Sequence, residues 1–469
     1  MASQVSPGVV LRERDLTNAT IVGDSALTAA IVSSFQKGPI DQIVNIADQK
    51  SLISVFGTPK EENAEDWLVA SEFLGYGGRL AVVRASSGVT NAANGGGTLI
   101  KNDAAWESGV GNTKIFAARS AGTWGNGIKV VVVDRGADQI ITLASAPSTP
   151  PSAGDTVTFN VSGVAKTAEL VAISGLDYTV VLDDPTVLIS DSDNIEGTTI
   201  NAGNAGADIN VASVKDAYTN TSIGSTGLKL SAIGPRPGTS SFASDRGVGY
   251  DEVHVGVIDT TGDVSGAANT VLERFTFLSK ISDAKSPEGG SLYYKDIIND
   301  QAQFIFSGAA VGSLFEPNST GGGKAWGVAS STLASGDFFQ LSGGNETDLS
   351  GGTDDYAYTA GEVTAGYDLF LDTEETEVDF VLMGGSMGTE ADTKTKAQKA
   401  VAIAAARKDC VAFVSAFKGN QVGSGGSALT ASQQKTKTVN FFNTITSTSY
   451  AVLDSGYKYM YDRFNDKYR

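Results

Sequence analysis

At 469 residues the chain is too long for one ordinary hydrophobic core, and a prior of roughly 100 to 200 residues per domain predicts two to four domains. Apolar residues make up 41% and charged ones 19%, which excludes wholesale disorder because burial offsets chain entropy over most of the length. A formal net charge of -19 excludes a phosphate-backbone binder, which needs a Lys/Arg-rich face to release counterions.

In chain order, the first pattern is a short segment, SPGVVLRERDLT, that begins at Ser6 after no other regular element. Val9, Val10, Leu11, Arg12, Glu13, Arg14 and Asp15 read as a charged, edge-like strand with no local partner, and residues 1–20 as an N-terminal arm. A compact β-α-β beginning follows. It has an apolar strand over Ala26 to Val32, a short strand over Gln42 to Ile46 and a helix from Asp48 to Phe56 stopped by Gly57 and Pro59. A second helix begins near Ala64, with Trp67, Leu68, Ala70, Phe73 and Leu74 at spacings of three and four. RLAVVRA, from Arg79, is a strand whose continuous apolar centre predicts burial on both faces.

The middle changes character. Residues 113–134 predict two strands around a Gly-rich turn at Gly122 to Gly127, and residues 138–230 predict a small all-β module, barrel or sandwich, from alternating runs such as TVTFNV and YTVVL. EVHVGVID reads as a strand, Thr270 to Ser282 as a helix through Val271, Phe275 and Leu278, and AQFIFSG as a strand. Residues 318–361 read as a glycine-dense acidic connector. The α/β pattern then returns: a helix over Glu362 to Leu371, a strand in VDFVLMGG, an Ala-rich helix over Thr393 to Lys408 and a strand in CVAFVSAF. Last comes a helix over residues 431–446 with Val439, Phe442 and Ile445 on one stripe.

The two α/β segments are each too short to stand alone, so the predicted class is α+β multidomain: a split α/β core domain (21–87 plus 362–469) interrupted by inserted domains. These are a mixed α/β domain (88–137 plus 231–361) and, within it, the outer all-β domain (138–230). Charge is uneven: residues 301–380 hold 13 Asp or Glu and one Lys, whereas residues 381–469 hold 12 Lys or Arg and six Asp or Glu. Neighbouring segments of opposite sign suit head-to-tail self-association and equally suit solvated surfaces that differ.

Reactive constellations are lacking. His254, the only histidine, lies in an alternating strand and reads as a strand-surface residue; without a His or Cys partner it completes neither a metal site nor a triad. The only cysteine, Cys410, sits in an apolar run and reads as a small buried hydrophobe. TGGGKAW (Thr320 to Trp326) lacks the leading Gly and the Ser or Thr of a phosphate loop, and DTEETEVD (Asp372 to Asp379) lacks calcium-loop spacing. The expectation is no catalytic residue, no cofactor and no metal. No stretch reads as a signal peptide or as a bilayer-spanning run of about 18 apolar residues, which predicts no membrane insertion and a protein that stays soluble where it is made.

Several stretches together resemble the tail sheath proteins of contractile-tailed, T-even-like bacteriophages. They are the opening SPGV, the block LTAAIVSSFQKGPIDQIVNIADQKSLISVFGTP (Leu27 to Pro59), FLGYGGRLAVVRA (Phe73 to Ala85), RKDCVAFVS (Arg407 to Ser415) and the tract from Thr446 to Arg469. The resemblance implies a structural subunit that assembles with itself into a helical sheath and contracts to drive a tail tube through the host envelope. The implied partners are the tail tube protein and the baseplate and tail terminator proteins, with no nucleic acid. The implied location is the virion tail, assembled in the host cytoplasm, and the family's C-terminal domain is expected to be missing. Under this resemblance Val9 to Asp15 is expected to pair with another copy. A sheath of a bacterial contractile injection system is the related alternative, and an α/β hydrolase-type enzyme the distant one.

Overall fold

The computed structural model of the protein describes residues 27–134, 136–184, 186–196, 207–309, 311, 323–339, 346–423 and 428–469. The expected arm strand, Val9 to Asp15, lies outside the described residues. The first elements are β1 (Thr28–Ser33), β2 (Ile43–Ile46), α1 (Gln49–Phe56), α2 (Ala64–Gly75) and β3 (Arg79–Arg84), in the order the pattern predicts. Asp48 caps α1, its carboxylate accepting from the Ser51 amide at 2.7 Å, and Gly57 ends the helix with φ of 82°.

The chain then enters a different architecture. β4 (Phe116–Ala118) and β5 (Ile128–Val133) flank the Gly-rich turn as expected, but they belong to different sheets. β6 (Gln139–Leu143), β7 (Thr156–Val161), β8 (Val164–Ser174), β9 (Asp177–Leu182), β10 (Asn194–Ile195) and β11 (Ile209–Asp216) close a six-stranded barrel in the order β10-β11-β6-β9-β8-β7. Ile141, Val157, Phe159, Leu170, Tyr178 and Val180 pack together in its interior as a hydrophobic core. The chain enters and leaves the barrel on paired residues, Gln139 opposite Asp216.

β12 (Glu252–Asp259) and β13 (Thr270–Ser279) form an antiparallel pair, and β5 is the next strand on the other side of β12. The helix expected over Thr270 to Ser282 is therefore a strand. Two register shifts explain the misreading: Val253 and Val255 oppose Leu278 and Phe275, and Val257 and Ile258 oppose Glu273 and Val271. Each bulge inserts a residue, and two bulges convert a period of two into spacings of three and four that mimic a helix. Next come α3 (Tyr294–Gln301), β14 (Ile305–Ser307), paired with β4, and β15 (Glu346–Asp348), paired with β5. The stretch expected as a connector also contributes Trp326, Phe339 and Leu349 to the core, so among its described residues it is more than a link.

The return segment supplies α4 (Ala360–Asp368), β16 (Phe380–Leu382), α5 (Glu390–Arg407), β17 (Val411–Ser415), α6 (Ala431–Phe442) and β18 (Ala451–Asp454). These strands join the first three in one six-stranded sheet ordered β18-β17-β16-β1-β3-β2, parallel throughout except for β2. Alternate residues of β1 serve opposite faces. Ala29 and Ile31 pack with α1 and α2, while Ala30 and Val32 pack with α4 and α5, which is why the strand reads as a continuous apolar run. On α6 the buried side chains are Thr438 and Phe441, with Val439 47% exposed, so the expected Val439 stripe is displaced. A closing hairpin, β19 (Tyr461–Asp462) and β20 (Lys467–Tyr468), docks on α2 by setting Phe464 edge-on against Trp67 at 5.0 Å.

Gly366 lets α4 lie directly on the sheet: a Cβ there would sit 2.6 Å from Val32 Cγ1. We expect Gly366→Val to destabilise the protein by about 1–3 kcal/mol through overpacking, read as a lower midpoint in urea unfolding.

Candidate functional site

β1 lies where the winding of the parallel sheet reverses, with β3 on one side and β16 on the other. In open α/β sheets the crevice at the carboxyl ends of such neighbouring strands is the usual place for a ligand. In this protein the crevice is filled from within. Lys396 of α5, fully buried, directs its ammonium at Asp66 Oδ1 (3.1 Å), the Gly385 carbonyl (3.1 Å) and the Tyr358 hydroxyl (3.0 Å). An ammonium has three hydrogens, so its donors are used up.

Asp66, in the first turn of α2, is equally committed. Its Oδ2 accepts from Ser33 Oγ and from Tyr358 Oη, both at 2.7 Å, and its Oδ1 accepts from the Gly385 amide at 2.7 Å. Gly384 has φ of 75°, and a Cβ there would lie 2.1 Å from Asp66 Oδ1. Burial beside Asp66 pushes the Tyr358 phenol well above its ordinary value. The Ser33 hydroxyl thus donates to a carboxylate that is already satisfied, and no neutral base stands beside it to make it a nucleophile.

The segment that returns from the insert is sewn across the same strand ends. Ser34 Oγ donates to the Tyr356 carbonyl (3.2 Å), Thr123 donates to Asp354 through both its amide and its hydroxyl (2.8 and 2.7 Å), and Asn126 exchanges two bonds with the Gly352 backbone (2.7 and 2.9 Å). What remains open is a cavity of about 500 Å³ whose mouth carries Glu61, Glu62, Glu65 and Asp392. Among the described residues no group of three or more His, Cys, Asp or Glu is placed to hold a metal ion.

The singled-out residues fall elsewhere. His254 is completely buried and not on the surface as expected: β12 is an internal strand of its sheet, the Gly234–Pro235 segment lies against the ring, and Phe277 of β13 packs edge-on to it. Its Nδ1 accepts from the Phe277 amide (2.9 Å), leaving Nε2 to donate to the Pro235 carbonyl (2.6 Å), and burial lowers its pKa. Cys410 is buried as expected, its thiol pushed up to about 11, chiefly by desolvation. In the false phosphate loop Lys324 pairs with Asp337 at 3.0 Å and Trp326 is buried, while residues 320–322 lie outside the described set. The acidic loop from Asp372 is exposed. Arg407 holds it from beneath by donating to the carbonyls of Phe370, Asp372 and Thr376, which leaves Glu374, Glu375 and Glu377 facing outward.

At the margin of the sheet, among the described residues, β18 pairs only with β17 and the face of this corner on the α1/α2 side is uncovered: Phe413 is 39% and Val452 45% exposed. A backbone edge beside apolar side chains is an interaction surface by its chemistry.

No family model matches the chain. Curated relatives do: it is 24% identical over 502 residues to the tail sheath protein of Salmonella phage ViI, spanning 100% of this chain and 69% of that protein. It is 25% identical over 502 residues to the tail sheath protein of Enterobacteria phage T4, spanning 98% and 70%. The chain is homologous to phage tail sheath proteins over its whole length. The corresponding protein of Vibrio phage KVP40 is 24% identical over 522 residues, spanning 99% of this chain and 71% of that one. Among solved structures, a sheath tail protein from Listeria innocua aligns at 10% identity with a TM-score of 0.36, spanning 91% of this chain and 58% of that one. One from Desulfitobacterium hafniense aligns at 11% with a TM-score of 0.31, spanning 92% and 61%. This chain therefore spans about three fifths of those two proteins. The homology supports a structural role in a phage tail sheath, matching the resemblance carried by the two ends of the sequence.

Two outcomes follow from the geometry. Lys396→Met should destabilise the fold by about 3–5 kcal/mol because it strands a buried carboxylate, and Lys396→Met combined with Asp66→Leu should recover much of the loss in urea unfolding. His254 is neutral when folded with a depressed pKa, so its contribution is complete above the unfolded value of about 6.5 and is lost as pH falls through the folded value. Thermal melts between pH 7 and 5 should drop accordingly, and His254→Gln should flatten that part of the profile.

Proposed function

We propose that this chain is a structural subunit of a contractile phage tail sheath, copies of which assemble helically around a tail tube and contract to drive it through the host envelope. The observation that carries this reading is homology to phage tail sheath proteins along essentially the entire chain, joined to a ligand crevice occupied by the protein's own Lys396 and Asp66. Work of this kind is done at interfaces. Free energy stored at assembly is released when contacts between subunits are exchanged for better ones, and a chain of bistable interfaces propagates the change. Its partners on this reading are other copies of itself, the tail tube and the baseplate and terminator proteins, and its place is the virion tail after assembly in the host cytoplasm.

The same reading assigns the split α/β unit (21–87 plus 362–469) to the sheath core and the inserted units (88–137 plus 231–361, and 138–230) to the outside. It also assigns Val9 to Asp15 to strand donation: an unpaired edge is a hazard in a monomer and a connector in a polymer. Copies further meet through the uncovered corner of the sheet at Phe413 and Val452.

Electron microscopy of the protein expressed with a tail tube protein should show sheathed tubes, and dispersed monomers under all conditions would overturn the proposal. Deletion of residues 1–15 should abolish ordered sheath; normal contractile sheaths from that variant would refute strand donation alone. Phe413→Glu with Val452→Glu should weaken polymerisation while leaving the monomer's melting temperature within about 2 °C, since both side chains are exposed.

A further inference from the structure

Arg84 closes β3 at the point where the chain departs for the insert, and it has no access to solvent. Its Nη1 donates to the carbonyls of Gly38 (3.0 Å), in the loop before β2, and Ala121 (2.9 Å), in the insert, so one arm of the guanidinium ties the sheet to the insert. The other arm is left over: Nε and Nη2 are buried and meet no acceptor among the described residues. On the returning segment the Tyr356 hydroxyl is in the same condition, buried with no partner among the described residues. Hydrogen bonds bring these groups to one joint: Arg84 grips the Ala121 carbonyl, Thr123 two residues on holds the Asp354 carboxylate, and Ser34 beside the end of β1 holds the Tyr356 carbonyl.

We infer that a resident water molecule bridges Arg84, Tyr356 and Asp354 at the joint between the sheet and the insert. Orphaned buried donors are rare in folded proteins, and two of them brought to the same joint by segments distant in sequence point to a shared bound acceptor. Charge decides what that acceptor is. The Arg84 cation and the Asp354 anion cancel, so a chloride or phosphate would leave an excess negative charge in a desolvated site, whereas water adds none. Water also has the right mixture of groups: two lone pairs to accept from the guanidinium and the phenol, and two hydrogens, one of which serves Asp354. Asp354 is a fixed neighbour, because Thr123 already holds both of its oxygens. The bridge completes a set of direct bonds across this joint, from Thr90 Oγ1 to the Gly351 carbonyl (2.6 Å) and between Asn126 and Gly352.

A high-resolution crystal structure tests this directly. A solvent peak within about 3.2 Å of both Arg84 Nη2 and Tyr356 Oη is the expected result. Two outcomes would overturn it: the guanidinium bonded directly to a protein oxygen with no solvent between, or an anomalous peak at the site after a bromide soak, which would make the ligand an anion. Tyr356→Phe keeps the ring and removes one ligand; it should lower the occupancy of the peak and the melting temperature by about 1–3 °C. An unchanged peak and an unchanged melt would remove Tyr356 from the site.

Discussion

The buried contact between Lys396 and Asp66 unites two stretches of chain 330 residues apart. A sheet assembled from both ends of a polypeptide needs a device that fixes which half-sheet docks on which, and apolar packing alone is tolerant of sliding. An ion pair in a desolvated crevice is not tolerant. Its desolvation cost is of the same order as its Coulombic gain, so its net contribution to stability is small, while any arrangement that separates the two charges costs several kcal/mol. The surrounding bonds to Ser33, Tyr358 and Gly385 sharpen that selection, since each comes from a different element.

This latch also settles what the crevice can do. The end of a doubly wound sheet is where many enzymes place their chemistry, and its use depends on polar groups left unsatisfied until a substrate arrives. In this chain the lysine, the carboxylate, the serine and the tyrosine satisfy one another, and the segment returning from the insert covers the strand ends. Apart from the buried orphans Arg84 and Tyr356 at the joint with the insert, the open surface chemistry lies at the periphery: the edge of β18, unpaired among the described residues, the apolar corner at Phe413 and Val452, and the outward carboxylates between Asp372 and Asp379.

Much of this was legible in the sequence where burial is two-sided or the period clean. β3 and α2 announced themselves because RLAVVR faces apolar neighbours on both sides and because Trp67, Ala70 and Leu74 share a stripe. β13 is illegible because its bulges disguise the alternation, and the burial of His254 is illegible because the Gly234–Pro235 segment against the imidazole belongs to no regular element. The latch went unseen for a different reason. One lysine in an Ala-rich helix reads as a solvated charge, although Lys396 falls on the same face as Ala400, Ile403 and Arg407, all turned inward. Its partners lie 330 and 38 residues away, and nothing in a single sequence ties them together.

The barrel's ladder brings its first and last strands side by side, Gln139 against Asp216, so the path out and the path back share one rung. Paired residues in an antiparallel ladder stand about 5 Å apart, a gap a tight turn spans. Such a socket lets selection, or an engineer, swap the barrel for a foreign module while the sheet that receives the chain keeps its geometry.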